Sequence, residues 1–358
     1  MVPIVHVVIM AGGKGERFWP VSRKRVPKQL LRLFGEETLL EAAYRRALSL
    51  AAPEAVYVVT GMECSDGILA QLPGMPRENL LIEPEGKNTA ACIALAAVVI
   101  EHRDPDGVMV VLPSDQQIGD AQEFGRLIDL AVKVAVEQET LVTLGIHPTR
   151  PETAFGYMEM GVPESGYPGV YRVGKFHEKP ELATAEQYVA SGGFLWNSGI
   201  FVWKSRLILS MIATYLPNLD REMQMLKPAI GTRDFDRRLK SVYAKLESIS
   251  VDYGILERAD SVHVIPASME WDDIGSWSAM RRVWPGNDRD NVGQGEYLGL
   301  ESRENIVYSP RKRVVTLGVR GMVIAETEDC LVVFPADRDQ EIKSIMEQLR
   351  QRGWEELL

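Results

Sequence analysis

Cysteine is scarce in this chain, and no apolar stretch is long enough to cross a membrane. The three cysteines lie far apart, and no CxxC or cysteine–histidine metal spacing occurs. This sparse, odd set excludes a disulfide scaffold and is typical of a reducing compartment, so we expect a cytoplasmic protein. The longest apolar run, Ala90–Ile100, falls short of the roughly 20 residues that a bilayer requires, and we predict a core helix there. The run Ile4–Ala11 has no basic region before it, which favours a buried strand over a signal peptide.

Positive charge is also in short supply. The 358 residues include 40 Lys and Arg against 50 Asp and Glu, a net charge of -10. A chain this acidic repels polyanions, which excludes a general binder of nucleic acid or of membrane surfaces. The stretch Lys14–Lys28 reverses the balance, because it contains six basic residues and only one acidic residue, Glu16. This local excess of positive charge indicates an anionic ligand. The six basic residues are Lys14, Arg17, Arg23, Lys24, Arg25 and Lys28.

Strand-like and helix-like patterns alternate through the first half of the chain. This alternation predicts an α/β fold with a largely parallel sheet covered by helices on both faces. Ligands of such sheets bind where the strands end, so the loops after residues 11, 112 and 145 are candidate binding sites. The predicted strands are Ile4–Ala11, Ala55–Thr60, Gly107–Leu112 and Thr140–Gly145, and the predicted helices are Thr38–Leu50, Asn88–Arg103 and Ala121–Glu139.

The pattern changes after about residue 285, where short β segments follow one another without helices. We therefore expect two domains, residues 1–285 and residues 286–358, of which the second is a small β domain. The predicted β segments are Asn305–Ser309, Arg313–Val319, Met322–Glu326 and Cys330–Phe334.

An amphipathic helix is predicted near the end of the chain. Its apolar stripe recurs at helical spacing through Ile342, Ile345, Met346 and Leu349. Such a stripe either docks on its own domain or mediates a homodimer. We favour docking on its own domain, since that is the commoner arrangement.

A glycine-rich segment, AGGKGERFWP, directly follows the first predicted strand. Glycines let backbone amides approach a ligand and form a concavity that binds anions. A dinucleotide-binding fingerprint would need glycine at Phe18, and no P-loop motif occurs. A tight turn would explain the glycines alone, and a solvated loop would explain the charges. Because both occur together, we favour a polyphosphate site that uses Arg17 and Lys28.

Two aspartate motifs are candidate metal ligands. Asp115 ends the segment LPSD after a predicted strand, and Asp273 lies in WDDIGSW. Mg²⁺ is commonly held by one or two carboxylates together with substrate phosphates and water, so two distant aspartates would suffice. Each aspartate alone is equally explained as a cap or turn residue.

Glu178 and Lys179 present opposite charges beside a proline in FHEKP. This pair either binds a hydroxyl group and a phosphate or is an ordinary exposed strand end, and the residues alone favour the strand end. Neither HExxH nor GxSxG occurs, so zincin and α/β-hydrolase chemistry lack their hallmarks.

Taken together, these segments resemble the bacterial mannose-1-phosphate guanylyltransferases, also called GDP-mannose pyrophosphorylases. The resemblance covers nearly the whole chain in the family's order. FWP with PKQ, GKNTA and LWNSG is a specific combination, whereas AGGxG and EKP alone would indicate only the wider sugar-nucleotidyltransferase superfamily. The matching segments are Ala11–Gln29, Glu83–Ala97, Leu112–Asp115, Thr153–Gly161, Val173–Pro180, Phe194–Trp203, Ser250–Glu257 and Trp271–Trp277.

The resemblance implies a Rossmann-like, GT-A-like nucleotidyltransferase domain with a mixed sheet, followed by a small β-helix-like domain. It implies transfer of GMP from GTP to mannose 1-phosphate, by Mg²⁺-assisted in-line attack on the α-phosphorus, giving GDP-mannose and pyrophosphate. The nucleophile is already an anion, so no general base is needed, and positioning and charge neutralisation suffice. The alternatives are another sugar 1-phosphate or nucleoside triphosphate, or a non-catalytic sugar-nucleotide sensor.

The same resemblance assigns roles to the site residues. Those expected to hold the triphosphate are Gly12, Gly13 and Gly15 through their amides, with Arg17 and Lys28. Those expected at the guanine and ribose are Gly86, Asn88 and Thr89. Those expected to ligate Mg²⁺ are Asp115 and Asp273. Those expected at the sugar are Gly156, Glu178 and Asn197, with Lys179 at its phosphate.

Four residues depart from the family's usual threonine, arginine, proline and histidine: Glu16, Lys87, Ala91 and Gln116. Lys87 keeps the charge of arginine but loses its planar fork. We expect the Glu16 side chain to point outward while its amide serves the ligand. Longer family members carry an isomerase domain that this chain lacks, so we expect no isomerase activity.

Overall fold

The computed structural model describes residues 4–13 and 15–358 of the chain. Lys14, one of the six clustered basic residues, lies outside them. The strands in chain order are β1 (Val5–Met10), β2 (Val56–Gly61), β3 (Leu80–Glu83), β4 (Val108–Pro113), β5 (Gln117–Ile118), β6 (Leu141–Ile146), β7 (Gly156–Pro163), β8 (Tyr171–Glu178), β9 (Phe194–Lys204), β10 (Val262–Ala267), β11 (Trp271–Asp272), β12 (Val292–Leu300), β13 (Ile306–Leu317), β14 (Met322–Glu326) and β15 (Leu331–Pro335).

The helices fill the intervals that the sequence pattern predicts in the first half, and helix α3 has the predicted bounds. A π-helical turn also occurs, at Asp252–Leu256. The α-helices in chain order are α1 (Leu39–Leu48), α2 (Ser65–Gln71), α3 (Asn88–Arg103), α4 (Ala121–Glu137), α5 (Leu182–Ser191), α6 (Ser205–Tyr215), α7 (Pro217–Leu226), α8 (Phe235–Tyr243), α9 (Met280–Val283) and α10 (Ile342–Gln351).

A nine-stranded sheet forms the centre of the molecule, in the order β3-β2-β1-β4-β9-β6-β10-β8-β7. Strands β1 to β4 are mutually parallel, as the alternating pattern predicts. Strand β9 enters antiparallel between β4 and β6, and β7 and β8 form an antiparallel hairpin at the far edge. The sheet is therefore mixed, in agreement with the fold class that the resemblance implies.

Helices cover both faces of this sheet because its strands are apolar on both sides. On one face, Val8 and its neighbours pack against α3, α6, α7 and α8. On the other face, Val7 and Ile9 pack against α1, α2 and α4. The segment Ala90–Ile100 of α3 is buried along its whole length, so the predicted core helix is confirmed.

Strands β12 to β15 form a second, smaller sheet in that order. The first two pairings are parallel and the last is antiparallel. The N-terminal part of β13 lies between β12 and β14, whereas its part around Val314–Leu317 pairs with β12 alone. The β-helix-like character implied by the resemblance is confirmed. Strand β12 is additional to the predicted segments, and two of them are joined in β13.

The final helix packs on its own chain. Its residues Ile342, Met346 and Leu349 join one buried cluster with Phe18 and Trp19, which follow the glycine-rich loop. The stripe therefore docks within its own chain, as the favoured prediction has it, but it packs against the predicted first domain as well as against its own. The Trp19 indole also donates a hydrogen bond to the Leu357 carbonyl at 2.6 Å, so the end of the chain covers the base of that loop.

Candidate active site

The glycine-rich loop leaves the C-terminal end of β1 and folds against Lys28. Gly13 and Gly15 have φ of 96° and 58°, in the left-handed region that favours glycine. A Cβ at Gly15 would lie 2.6 Å from both the Cβ and the backbone nitrogen of Lys28, so no side chain fits there. Gly12 and Gly13 are exposed. The loop therefore presents accessible backbone beside a lysine, as a polyphosphate site requires.

Lys28 connects the two loops that carry the candidate metal ligands. Only 5% of the residue is exposed. Its Nζ donates to Asp115 Oδ2 at 3.0 Å and to the Asp273 carbonyl at 2.7 Å. Arg17 reaches the same region, because its Nη1 donates to the Gly275 carbonyl at 3.3 Å. Four of the predicted residues are thus gathered around the end of β1.

A small two-stranded sheet explains how aspartates so distant in sequence come together. Strand β5 lies just after Asp115, and β11 lies just before Asp273. The two strands pair antiparallel, with Trp271 opposite Ile118. The pairing holds both loops at the same edge of the central sheet, next to β1.

Gln116 reinforces this pairing. Its Nε2 donates to the Ser198 carbonyl at 2.6 Å, and its Oε1 accepts from the Trp271 indole at 2.8 Å. The side chain therefore joins β9 and β11 to the loop that carries Asp115. The sequence shows Gln116 only as a departure from histidine, and the only signal of this role is its position beside that aspartate.

The two carboxylates of the WDDIGSW segment have different environments. Asp272 is engaged by Arg282, at 2.6 and 2.9 Å, and by the Ile274 amide at 2.8 Å. The Asp273 carboxylate makes no hydrogen bond or ion pair with any residue that the structure describes. Burial raises its pKa to about 6, with Lys28 opposing this effect and the nearby Asp272 and Asp115 adding to it.

Asp115 and Asp273 fit a divalent cation. Both supply the hard oxygen ligands that Mg²⁺ prefers, and a cation between them would offset both the burial and the repulsion that disfavour the ionised form of Asp273. Within residues 4–13 and 15–358 no group of three or more His, Cys, Asp or Glu converges on one point. A cation held here would therefore take its other ligands from substrate and water, as Mg²⁺ does with phosphates.

The residues predicted at the sugar lie together on the β7, β8 and β9 side. Gly156 pairs with Glu178 in register, and a Cβ at Gly156 would collide with the Glu178 carboxylate. The Lys179 Nζ lies 2.8 Å from Glu178 Oε1, and only 7% of the Glu178 side chain is exposed. The segment is therefore not simply an exposed strand end. Asn197 lies on β9 and donates through Nδ2 to Asp252 Oδ1 at 2.8 Å.

Asp252 was not singled out by sequence reasoning. It lies in the π-helical turn, and burial together with the nearby Glu178 raises its pKa to about 6. The matching segment SVDYGILE, Ser250–Glu257, contains it, but nothing in that segment distinguishes this carboxylate from an ordinary cap.

The residues predicted at the base and ribose lie at the start of α3. Gly86 and Asn88 are exposed, and Asn88 has a φ of 67°. The Asn88 Oδ1 accepts from the Thr89 amide at 2.8 Å. The Thr89 Oγ1 accepts from the Val251 amide at 2.8 Å, so this hydroxyl also ties α3 to the segment that carries Asp252.

Two of the four unusual residues are charged, and each lies near a residue of opposite charge. The Glu16 carboxylate lies 3.9 Å from an Arg350 Nη2 of α10, in agreement with the expected outward orientation. The Lys87 Nζ lies 3.5 Å from Glu85 Oε2. Ala91 is buried, and its carbonyl accepts a bond from the Tyr243 hydroxyl.

Comparison with known families agrees with this arrangement. Residues 6–286 match the family model described as nucleotidyl transferase. The chain belongs to the nucleotidyl transferase family. Residues 295–349 match the family model described as MannoseP isomerase/GMP-like beta-helix domain. The smaller sheet of this nucleotidyl transferase therefore belongs to such a domain. Nucleotidyl transferases of this kind generally use a divalent metal.

Several named proteins are similar along nearly the whole nucleotidyl transferase chain. Xanthan biosynthesis protein XanB of Xanthomonas campestris is 36% identical, over 97% of this chain and 73% of its own length. Mannose-1-phosphate guanylyltransferase of Klebsiella pneumoniae is 36% identical, over 96% of this chain and 74% of its own. A crystal structure from Thermus thermophilus, described as a mannose-1-phosphate geranyltransferase, is 34% identical with a TM-score of 0.87 and covers 97% of this chain and 99% of its own.

The helices of this chain were also compared with the length and hydropathy that a membrane span requires. No helix in the described part of the chain is both long and apolar enough to cross a membrane.

Proposed function

We propose that this nucleotidyl transferase transfers GMP from GTP to mannose 1-phosphate, releasing pyrophosphate and GDP-mannose. The observation that carries the proposal is the position of Lys28, between Asp115 and the Asp273 carbonyl at the end of the glycine-rich loop. Similarity to the Klebsiella pneumoniae guanylyltransferase supports the choice of substrates. Another sugar 1-phosphate or triphosphate, or a non-catalytic sensor, would need the same binding surface but a different result in the assay below.

In this proposal the nucleotide binds along the β1 end of the sheet. The amides of Gly12, Gly13 and Gly15 donate to the phosphate oxygens, and Arg17 and Lys28 neutralise them. The residues that face the guanine and ribose are Gly86, Asn88 and Thr89, at the start of α3.

Asp115 and Asp273 would hold Mg²⁺, which when bound supplies positive charge at the phosphate oxygens. Lys28 already contacts Asp115, so it places a second positive charge at the same point. The cation held by the two aspartates would, together with the lysine, offset the repulsion between two anionic reactants, which is a main barrier to this reaction.

The sugar phosphate binds on the β7–β9 side. Glu178 and Asn197 contact the hydroxyl groups, and Gly156 leaves room for the Glu178 carboxylate. Lys179 holds the phosphate that attacks the α-phosphorus. The attacking oxygen is already ionised, so the residues align the reactants and no side chain removes a proton.

The test is release of pyrophosphate from GTP and mannose 1-phosphate with MgCl₂, and its loss on adding EDTA. Asp115→Asn and Asp273→Asn are expected to lower kcat by at least about a hundredfold, since each removes a metal ligand. The matched control is Asp106→Asn, because that side chain is 84% exposed and lies outside the site. A folded wild-type protein that releases no pyrophosphate overturns the proposal.

The alternatives give different results in the same assay. Preference for another sugar 1-phosphate or nucleotide in a substrate panel would correct the substrates and keep the chemistry. Binding of GDP-mannose without turnover would identify a sensor. Unchanged turnover in both aspartate variants would show that the metal assignment is wrong.

We also propose a homodimer through the C-terminal domain, residues 286–358, which follows the catalytic domain, residues 1–285. Four aliphatic side chains on β12 and β13 support it, because each is more than half exposed and they share one face. They are Leu298, Leu300, Val315 and Leu317. A cytoplasmic location is proposed on the three free cysteines.

A further inference from the structure

Asp252 is a carboxylate in the candidate site that the proposed mechanism leaves without a role. It begins the π-helical turn, a rare local structure that is frequent at functional sites. Its Oδ1 accepts a hydrogen bond from Asn197 Nδ2, and no other side chain in the described part of the molecule donates to it. The remaining acceptor positions of this carboxylate are therefore available to a ligand.

Glu178 lies near Asp252, and within the described part of the chain only Glu178 of the two carboxylates forms an ion pair. Lys179 contacts Glu178 at 2.8 Å, whereas Asp252 has no ion-pair partner among the described residues. Glu178 and burial together disfavour the ionised form of Asp252 and raise its pKa. Two neighbouring carboxylates that are only partly compensated call for further hydrogen-bond donors, which a ligand can supply.

The position of Asp252 is fixed from the nucleotide side. The Ala90 amide donates to the Ile249 carbonyl at 3.2 Å, and the Val251 amide donates to Thr89 Oγ1 at 2.8 Å. Both contacts join the start of α3 to the residues just before Asp252. The carboxylate is thus held at a set distance from the residues proposed at the base and ribose.

Asn197 has the complementary chemistry. Its Oδ1 accepts from the Gly199 amide at 3.1 Å, and one Nδ2 proton is used by Asp252. The second Nδ2 proton remains to donate. A donor beside two acceptors suits a hydroxyl group, which both donates and accepts, and neighbouring hydroxyls of a hexose would engage Asp252 and Glu178 together.

We propose that Asp252 is a further substrate-binding residue, whose carboxylate accepts hydrogen bonds from hydroxyl groups of the hexose 1-phosphate. This inference rests on the proposed function and assigns a residue to its sugar side. It makes sugar recognition depend on two carboxylates, Glu178 on β8 and Asp252 in the π-helical turn, with Asn197 of β9 hydrogen-bonded to Asp252.

The experiment uses Asp252→Asn, which keeps the shape and an acceptor for Asn197 but removes the charge. The KM for mannose 1-phosphate is expected to rise about tenfold or more, because hydrogen bonds to charged groups are strong, while the KM for GTP changes by less than about twofold. Asp260→Asn is the matched control, since Asp260 is an exposed aspartate eight positions later. It should leave both constants unchanged.

A second measurement separates contact from a structural role. The wild type should bind one deoxy analogue of mannose 1-phosphate more weakly than the parent compound, namely the analogue that lacks the hydroxyl group contacting Asp252. The Asp252→Asn variant should bind that analogue and the parent compound with nearly equal affinity. Additive losses at every position, an unchanged KM for the sugar phosphate, or equal rises in both KM values would overturn the inference.

Failure of the proposed function gives a different result. If the wild type turns over another hexose 1-phosphate, the same comparison is made with that substrate and tests Asp252 directly. If the wild type turns over none, binding of the hexose 1-phosphates is measured by calorimetry. Tighter binding to the wild type than to Asp252→Asn then supports the inference, and equal or absent binding overturns it.

Discussion

Single residues set the geometry of the nucleotide loop, and Gly15 is the clearest case. An alanine there would combine a φ of 58° with a Cβ 2.6 Å from the Lys28 backbone. Gly15→Ala is therefore expected to lower the free energy of unfolding by at least about 1–3 kcal/mol. Urea denaturation measures it. Gly12→Ala is the control, because a Cβ at Gly12 meets no atom within 4 Å. Equal losses in the two variants would contradict the explanation.

Glu83 makes the stability of the protein depend on pH. It is 6% exposed, its Oε1 accepts from the Tyr243 hydroxyl at 3.1 Å, and burial raises its pKa from 4.5 to about 7. A carboxyl whose pKa is raised on folding binds its proton more tightly in the folded state. Its contribution to stability is therefore complete below pH 4.5 and is lost as the pH rises through about 7.

The prediction is tested by measuring the unfolding free energy of the wild type and of Glu83→Gln as a function of pH. Between pH 5 and pH 8 the wild type should lose roughly 2–3 kcal/mol of unfolding free energy relative to Glu83→Gln, which keeps an acceptor for Tyr243 and does not ionise. Glu85→Gln removes an exposed acid two residues away and should show the pH dependence of the wild type. Parallel curves for wild type and Glu83→Gln would refute the assignment.

Among the elements, the pairing of β5 with β11 matters most to the site, and Gln116 supports it. Gln116→Ala would leave the Ser198 carbonyl and the Trp271 indole without their partners, which costs about 1–3 kcal/mol. Because the pairing also holds Asp115 beside Asp273, kcat should fall more than stability alone explains. Steady-state kinetics well below the melting temperature measure this effect.

The neighbouring Gln117 provides the control. Its Oε1 is buried and has no hydrogen-bond partner among the residues described, so removing that side chain breaks no bond. Gln117→Ala should therefore leave kcat close to the wild-type value. A similar loss of kcat in both variants would mean that the strand pairing, and not the Gln116 side chain, positions the aspartates.

The elements also show what a single sequence can and cannot predict. Long apolar strands and α3 follow directly from periodic patterns, so their positions agree to within a few residues. Strands β5 and β11 contain two residues each and carry no periodic signal, although their pairing brings Asp115 and Asp273 together. Strand β12 is absent from the predicted segments because Val292–Leu300 contains three glycines, which are unfavourable in strands. All three lie where a Cβ would collide with neighbouring atoms.

At the scale of the whole molecule, the C-terminal domain supports the catalytic one. Arg23 follows the glycine-rich loop and contacts Asp329 at 2.7 Å and the Leu357 carbonyl. The Gln294 side-chain amide donates to the Leu33 carbonyl at 2.7 Å, and the Ser278 amide donates to Asp339 at 3.0 Å. The local excess of basic residues therefore has two uses, because Lys28 faces the site while Arg23 joins the domains.

The apolar face of the C-terminal domain gives a prediction about assembly. Leu298 is opposite Val315 and Leu300 is opposite Leu317 in register, so four aliphatic side chains form a continuous surface on two strands. A two-fold dimer through this surface would bury all four side chains of each protomer, so a substitution at one position affects the interface at two places. Leu317→Glu should weaken such a dimer by about 3–5 kcal/mol, or by a factor of roughly 10²–10⁴ in Kd, since a buried leucine contributes about 1.5–3 kcal/mol.

Light scattering with size-exclusion chromatography measures the change. The wild type is expected to elute as a dimer and Leu317→Glu as a monomer. Both are compared at the same monomer concentration, because assembly depends on concentration. The control is Val162→Glu on β7, because Val162 is 65% exposed and Leu317 is 71% exposed, so the two substitutions have similar cost in the monomer. The control should remain dimeric. A monomeric wild type at tens of micromolar, or a Leu317→Glu variant that stays dimeric, would show that this face does not hold two copies together.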